Sequence, residues 1–443
     1  MASQPVPTAH RHHGGTLHTR NRRARWLGPL LIGTLLIGSL GSWPALASEP
    51  LPGADLASVH AWLREHNPQL RALQLEAEAA DARVLPAGAL PDPMIAVTLK
   101  EIDPDRPSLL PGNVGSTLYE VRQRIPLWGK RGLSRELARS QAQGLRHERE
   151  AMAREILAEA EDAYVRYWHA DEAVAIIDRQ IALLEQIEEV AGVRYAVGMA
   201  AQQDSIRAQV ERTNMQRQRI ERLAGRREAS VALNVALGRR ADAALSPPAE
   251  QPMLVVRDGD IGEALARLQQ DGHPALQASI ANVEAARSNV ELQRRDRYPD
   301  ITLGVGAMQR GDGIDGYEVM LEVEIPLQQR ARRERERESR LLESAALART
   351  DVTRLELEGR LGTAWARWNS AREQRQLIQR TLLPQSDANF QSALASYQVG
   401  EVDFGTLLEA LREWQGADLA RVDSTRDELL GAAAVRAIQG DTP

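Results

Sequence analysis

The chain has 443 residues, no cysteine, 4% aromatic residues and a formal net charge of −6. Without cysteine there can be no disulfide framework, thiolate metal site, cysteine nucleophile or lipidated cysteine. An excess of Ala, Leu, Arg, Glu and Gln over aromatic residues is the composition of long helices rather than thick globular cores, and the acidic balance argues against nucleic acid as a partner.

Residues 1–47 read as an export signal. Arg20, Arg22, Arg23 and Arg25 precede an apolar run over 26–40, and Ala45-Leu46-Ala47 forms a small-x-small cleavage site. The apolar run is about fifteen residues, short of the roughly twenty that span a bilayer as helix. Cleavage after Ala47 is expected, with an uncleaved anchor as the alternative. The cut removes five arginines and no acids, so the balance moves from −6 to −11. It also discards His10, His12, His13 and His18. The remaining His60, His66, His147, His169 and His273 show no ligand-like spacing, so neither a metal site nor a cofactor is expected. Beyond the signal no window approaches the apolar length of a spanning helix, so membrane entry would have to be by β-barrel.

The rest of the chain is one unit written twice. NPQL (67–70) answers to HPAL (273–276), and LPDPMIAV (90–97) to YPDITLGV (298–305). YEVRQRIPL (119–127) answers to YEVMLEVEIPL (317–327), and RYAVG (194–198) to SYQVG (396–400). The landmarks keep their order at offsets close to 200 residues. Residues 48–248 and 249–443 are therefore taken as two structural repeats.

Each repeat opens with an Ala-rich helix, 54–88 or 255–297, in which Pro68 and Pro274 fall early, where a turn or first-turn position tolerates proline. Two period-2 segments follow in each, 93–102 with 116–126 and 300–309 with 315–325, joined by linkers rich in Pro, Gly, Asp and Asn. Long helices are expected over 132–196 and 331–397. In the first, Ile177, Ile181, Leu184, Ile187 and Ala191 recur at steps of four and three, a core-facing stripe. Each ends at Tyr-x-x-Gly, where Gly198 or Gly400 can take the left-handed conformation that closes a helix. A returning helix then runs over 202–238 or 405–438. Trp365 and Trp368 read as packing residues, and Pro384 as a kink.

In the strand 315–325, Tyr317, Val319, Leu321, Val323 and Ile325 alternate with Glu318, Glu322 and Glu324. In 116–126, Tyr119, Val121 and Ile125 oppose Glu120, Arg122 and Arg124. A soluble sheet with one solvated face gives this alternation, and so does the wall of a water-filled barrel. Strands of about ten residues suffice to cross a bilayer tilted. Four strands cannot close a barrel, since about eight are needed, so several chains would have to share one.

The order NPxL, LPDP, RQRIPLWGKR, RYAVGMAAQQD, ALGR, HPAL, RYPD, EIPLQQRARRE and SYQVGEVDFGTLLEA resembles the outer-membrane factors, the TolC-like exit ducts of tripartite efflux pumps and type I secretion systems. LPDP and IPLWGKR resemble most the heavy-metal branch, the CusC- and CzcC-like proteins. The resemblance implies a mainly α fold with a small β part: a homotrimer sharing a twelve-stranded barrel in the outer membrane of a Gram-negative bacterium, continued by a helical cylinder in the periplasm. It implies a passive duct for heavy-metal cations, with drug efflux or secretion as the runner-up, and not an enzyme. The implied partners are a periplasmic adaptor, an inner-membrane RND pump and outer-membrane lipid. Many relatives carry an acylated N-terminal Cys, for which Ala47 and Ser48 stand here. A soluble periplasmic coiled-coil scaffold is the rival from another class.

Under that resemblance Glu120, Arg122, Arg124, Glu318, Glu322 and Glu324 face the lumen, while Tyr119, Trp128, Tyr298 and Tyr317 stand at aromatic girdles near strand ends. Tyr195, Gly198, Tyr397 and Gly400 form helix tips that dock the adaptor, a simple structural cap being the alternative for the glycines. Asp204, Thr406 and Glu409 occupy gate offsets and Glu401 and Asp403 the rim, although Thr406 departs from an acid. Three copies of an acid about a narrow axis would repel one another and attract cations. For any one of the acids, a solvated carboxylate favoured by the helix N-terminus is the alternative.

Overall fold

The computed structural model describes residues 51–257 and 259–440. The export signal and its cleavage site lie outside the described residues. Each half of the chain runs helix, helix, strand, strand, long helix, returning helix.

The expected first helix of each half is two helices. In the first half they are α1 (Leu56–His66) and α2 (Pro68–Ala87), and in the second α5 (Ile261–Asp271) and α6 (Pro274–Arg295). Proline at the first position starts the second helix of each pair, because its missing N–H would be unsatisfied there anyway. The residue before it supplies the cap. Asn67 Oδ1 accepts from the N–H groups of Gln69 and Leu70 at 2.8 and 3.1 Å, and His273 Nδ1 accepts from Ala275 at 3.1 Å. Burial, reinforced by the Arg154 and Arg360 charges, pushes His273 down to about 4, which keeps the ring neutral and able to accept.

Four strands form one antiparallel sheet in the order β1 (Met94–Lys100), β2 (Ser116–Ile125), β3 (Ile301–Arg310), β4 (Gly313–Val323). The two halves meet between β2 and β3, where Ile125 pairs with Ile301 and Val121 with Val305. β1 and β4 are the open edges.

The first long helix, α3 (Lys130–Ala196), returns as α4 (Gln202–Ala236). The second is not uniformly α. α7 (Gln329–Leu377) passes through a π turn at Ile378–Leu382 into α8 (Leu383–Val399), and α9 (Phe404–Gln439) returns. Pro384 lies at the start of α8, where the Leu383 N–H reaches back to the Ile378 carbonyl. The wider turn makes room for a ring that would clash with the carbonyl four residues back, so the helix continues through the proline.

The expected stripe is the core. Ile177, Leu184, Ile187 and Ala191 are buried with Met215 of α4, Phe390 and Tyr397 of α8, and Phe404, Leu407 and Leu411 of α9, while Ile181 packs at the margin. Two helical hairpins thus share one interior. Trp365 and Trp368 stack edge to face at 5.1 Å in a second cluster with Leu361 and Val435. No helix among the described residues is long and apolar enough to cross a membrane.

Candidate functional site

The two helix tips are built alike. Gly198 has φ +76° and Gly400 φ +87°. The Gly198 N–H donates to the Tyr195 carbonyl at 2.9 Å and the Met199 N–H to the Arg194 carbonyl at 2.8 Å; Gly400 donates to Tyr397 at 3.1 Å and Glu401 to Ser396 at 2.9 Å. Both are Schellman closures, in which a left-handed glycine turns two late amides back onto the last carbonyls.

One side chain ties the tips together. Arg194 of α3 donates through Nη1 to the Tyr397 carbonyl and to the Gln398 carbonyl at 2.7 Å, and through Nη2 to Met199 at 3.1 Å. Its guanidinium also lies 4.7 Å over the Tyr397 ring. A planar fork with several donors can bind carbonyls of both hairpins at once, which an ammonium cannot. Sequence reasoning missed Arg194. The signal was one of the two unequal positions in the paired motifs, Arg in RYAVG against Ser in SYQVG.

The tip tyrosines have different fates. Tyr397 is buried against Phe404, ring centroids 5.5 Å apart, whereas Tyr195 is exposed. Burial and then the Asp204 charge push the Tyr397 phenol above its ordinary value, against the opposing pull of Arg194. Asp204 lies in the first turn of α4. Asp403 is the N-cap of α9: its Oδ1 accepts from the Thr406 N–H at 2.8 Å and the Thr406 hydroxyl at 3.1 Å, bonds that hold the carboxyl below its usual range. Asp403 and Thr406 are thus one capping pair. Glu401 and Glu409 are exposed.

The sheet has two chemically opposite faces. One row joins Ile95, Val121, Val305 and Val319, and the next Val97, Tyr119, Ala307 and Tyr317. Val319 is 81% exposed and Ile95 79%. Tyr119 and Tyr317 stand inside their strands rather than at the ends; only Trp128 and Tyr298, rings 5.1 Å apart, lie beyond the sheet. The opposite face carries Glu120, Arg122, Arg124, Glu318 and Glu322, and several of these charges are paired within the chain. Arg122 Nε donates to Glu120 Oε2 at 2.6 Å, and Arg124 to Glu324, just past β4, at 2.9 Å. Glu120 is buried, and a Cβ on Gly304 would stand 2.6 Å from its Oε1, so a larger residue there would push that carboxylate aside.

A buried joint connects sheet to helix. Lys130 Nζ lies 2.9 Å from Asp300 Oδ1 and donates to the Tyr298 carbonyl at 3.0 Å. The Leu127 N–H donates to Asp300 at 3.1 Å and Trp128 Nε1 to the Pro299 carbonyl at 2.8 Å. Among the described residues no group of three or more His, Cys, Asp or Glu could hold a metal ion.

A four-stranded sheet, apolar on one face and charged on the other, is carried by paired long helices with matched tips. The chain belongs to the outer membrane efflux protein family, whose pattern matches residues 62–239 and 265–441. It is 22% identical over 355 residues to the cobalt-zinc-cadmium resistance protein CzcC of Cupriavidus metallidurans, covering 78% of this chain and 80% of that one. Its fold matches the outer-membrane channel OprN (20% identity, TM-score 0.74, 87% of this chain and 90% of that) and CusC (15%, 0.73, 88% and 92%). It also matches VceC of Vibrio cholerae (16%, 0.72, 87% and 96%). This is the TolC-like fold expected from the doubled motifs.

Proposed function

We propose that three copies of the chain close a twelve-stranded barrel in the outer membrane, with the helices extending into the periplasm as a passive duct for heavy-metal cations. The observation that carries the barrel is the sheet itself: an exposed apolar face, a charged face and two unpaired edges. A lone sheet of this kind would be a template for aggregation, whereas closure with sister strands removes the edges and puts the apolar rows against lipid. Glu120, Arg122, Arg124, Glu318, Glu322 and Glu324 then line a wet lumen whose mixed charges hold water without binding cargo tightly.

The tips form the periplasmic end. Asp204, Glu401 and Glu409, repeated around the axis, supply the acidic constriction, with the Asp403–Thr406 cap positioning the start of α9. Tyr195 and the turns at Gly198 and Gly400 meet a periplasmic adaptor, buried Tyr397 shapes that surface from within, and engagement with an inner-membrane RND pump opens the duct. Metal cargo is supported by the likeness to the cobalt-zinc-cadmium resistance protein. The test is a deletion strain challenged with cobalt, zinc and cadmium salts and with a drug panel, alongside planar-bilayer recordings of the purified chain. Metal sensitivity and a conducting trimer are expected. Drug sensitivity with normal metal tolerance would overturn the cargo, and a non-conducting monomer the duct.

A further inference from the structure

The Lys130–Asp300 joint binds the start of α3, in the first half, to the start of β3, in the second. Its side chains are only 10% and 9% exposed. The duplication gives this joint a counterpart. The offset of 200 residues that carries Leu127 to Leu327 carries Lys130 to Arg330, and the offset of 208 that carries Pro299 to Pro91 carries Asp300 to Asp92. Acid and base are both retained, yet the two flank opposite edges of the sheet, Asp92 just before β1 and Arg330 in the first turn of α7, which follows β4. Three strand spacings separate those edges, about 14 Å. Both residues are exposed.

We propose that Asp92 of one copy pairs with Arg330 of its neighbour, repeating between subunits the joint that Lys130 and Asp300 make within one. The proposal rests on the shared barrel and adds the contact that sets its register. Carrying the β2–β3 register through the offsets of 200 and 208 that hold at Leu127 and Pro299 sets Val323 opposite Ile95 and Leu321 opposite Val97. Within one chain Val319 shares a row with Ile95, and Leu321 shares a face with Val97, all of them apolar and exposed. The transferred register keeps that face apolar without adjustment, whereas a slip of one residue would set Glu322 beside Ile95.

The helices agree independently. α6 packs on both α3 and α7, while α2 packs on α3. Leu75 of α2 is 56% exposed, whereas Ala281, its counterpart on α6 by the offset of 206 that carries Pro68 to Pro274, is 8% exposed. A neighbour's α7 is the element that would cover Leu75.

The experiment uses the full mature chain in detergent, with trimer dissociation followed by native mass spectrometry. Asp92→Arg and Arg330→Asp should each speed dissociation by about tenfold, because each leaves a like charge facing the neighbour, and the double exchange should recover most of the loss. The chain has no cysteine, so Val323→Cys with Ile95→Cys should give disulfide-linked copies, and Val323→Cys with Val97→Cys should not. A trimer in which the double variant dissociates as fast as the single variants combined overturns the ion pair but leaves the duct standing. Cross-linking of the slipped pair overturns the register. A wild-type chain that remains a monomer overturns the duct, and this proposal with it.

Discussion

Arg194→Ala should loosen both tips without unfolding the chain. The guanidinium donates to three carbonyls, one on α3's own turn and two at the end of α8, and covers the Tyr397 ring. Hydrogen bonds from a charged donor contribute about 1.5 kcal/mol each when buried; at this half-exposed position roughly 0.7 kcal/mol apiece is reasonable. The cation–π contact adds about 1 kcal/mol, so the strap stabilises the closed tips by about 3 kcal/mol. Lost from a local opening equilibrium, that is roughly a hundredfold faster amide exchange. The amides to follow are Gly198, Met199, Gly400 and Glu401, which close the two turns. Arg194→Lys should give about half the effect, since an ammonium retains the charge but not the fork. The amides of the Leu184–Leu411 core should exchange as in the wild type. Unchanged exchange at Gly400 and Glu401 in Arg194→Ala would refute the strap, because α8 would then hold its turn unaided.

Three further outcomes follow from other parts of the chain. His273 is lowered from 6.5 to about 4 in the folded chain, so between those values the unfolded state binds more protons and stability rises with pH; it is lost as pH falls through that window. His273→Asn, which copies the Asn67 cap of the first half, should keep the helix start and flatten melting temperature against pH between about 4 and 6.5; an unchanged slope would show that the histidine is not its source. Leu184→Ala removes a side chain with no exposure from the core shared by both hairpins and should cost about 3 kcal/mol in chemical denaturation; a loss below about 1 kcal/mol would mean that this interior collapses around the gap. Replacing Asp204 and Glu409 together by Ala should raise single-channel conductance and weaken cation block, and unchanged currents would remove them from the constriction.

Much of the helix and strand pattern was legible because it is periodic. A helix that buries one stripe repeats apolar residues every three or four positions, so Ile177, Leu184, Ile187 and Ala191 could be assigned to the core, and all are buried. A strand alternates, so the apolar rows through Val121 and Val319 were separable from the acids before their partners were known. The break before Pro68 was less legible, since a proline at a first helical position and one within a first turn read alike until the Asn67 cap is seen. The Asp403–Thr406 cap was readable in principle, because an acid three residues before a helical amide is an N-terminal signature.

Local chemistry, read in order, thus determined the duplicated plan, the element types, the two faces of each strand and the glycine turns, because each depends on neighbours a few residues away. Only the tertiary structure decided which charges meet. Lys130 and Asp300 lie 170 residues apart in sequence, Arg194 and the Tyr397 carbonyl 203, and corresponding tyrosines in paired motifs ended one exposed and one buried. Such pairings depend on how the two halves pack against each other, and that geometry is absent from either half alone.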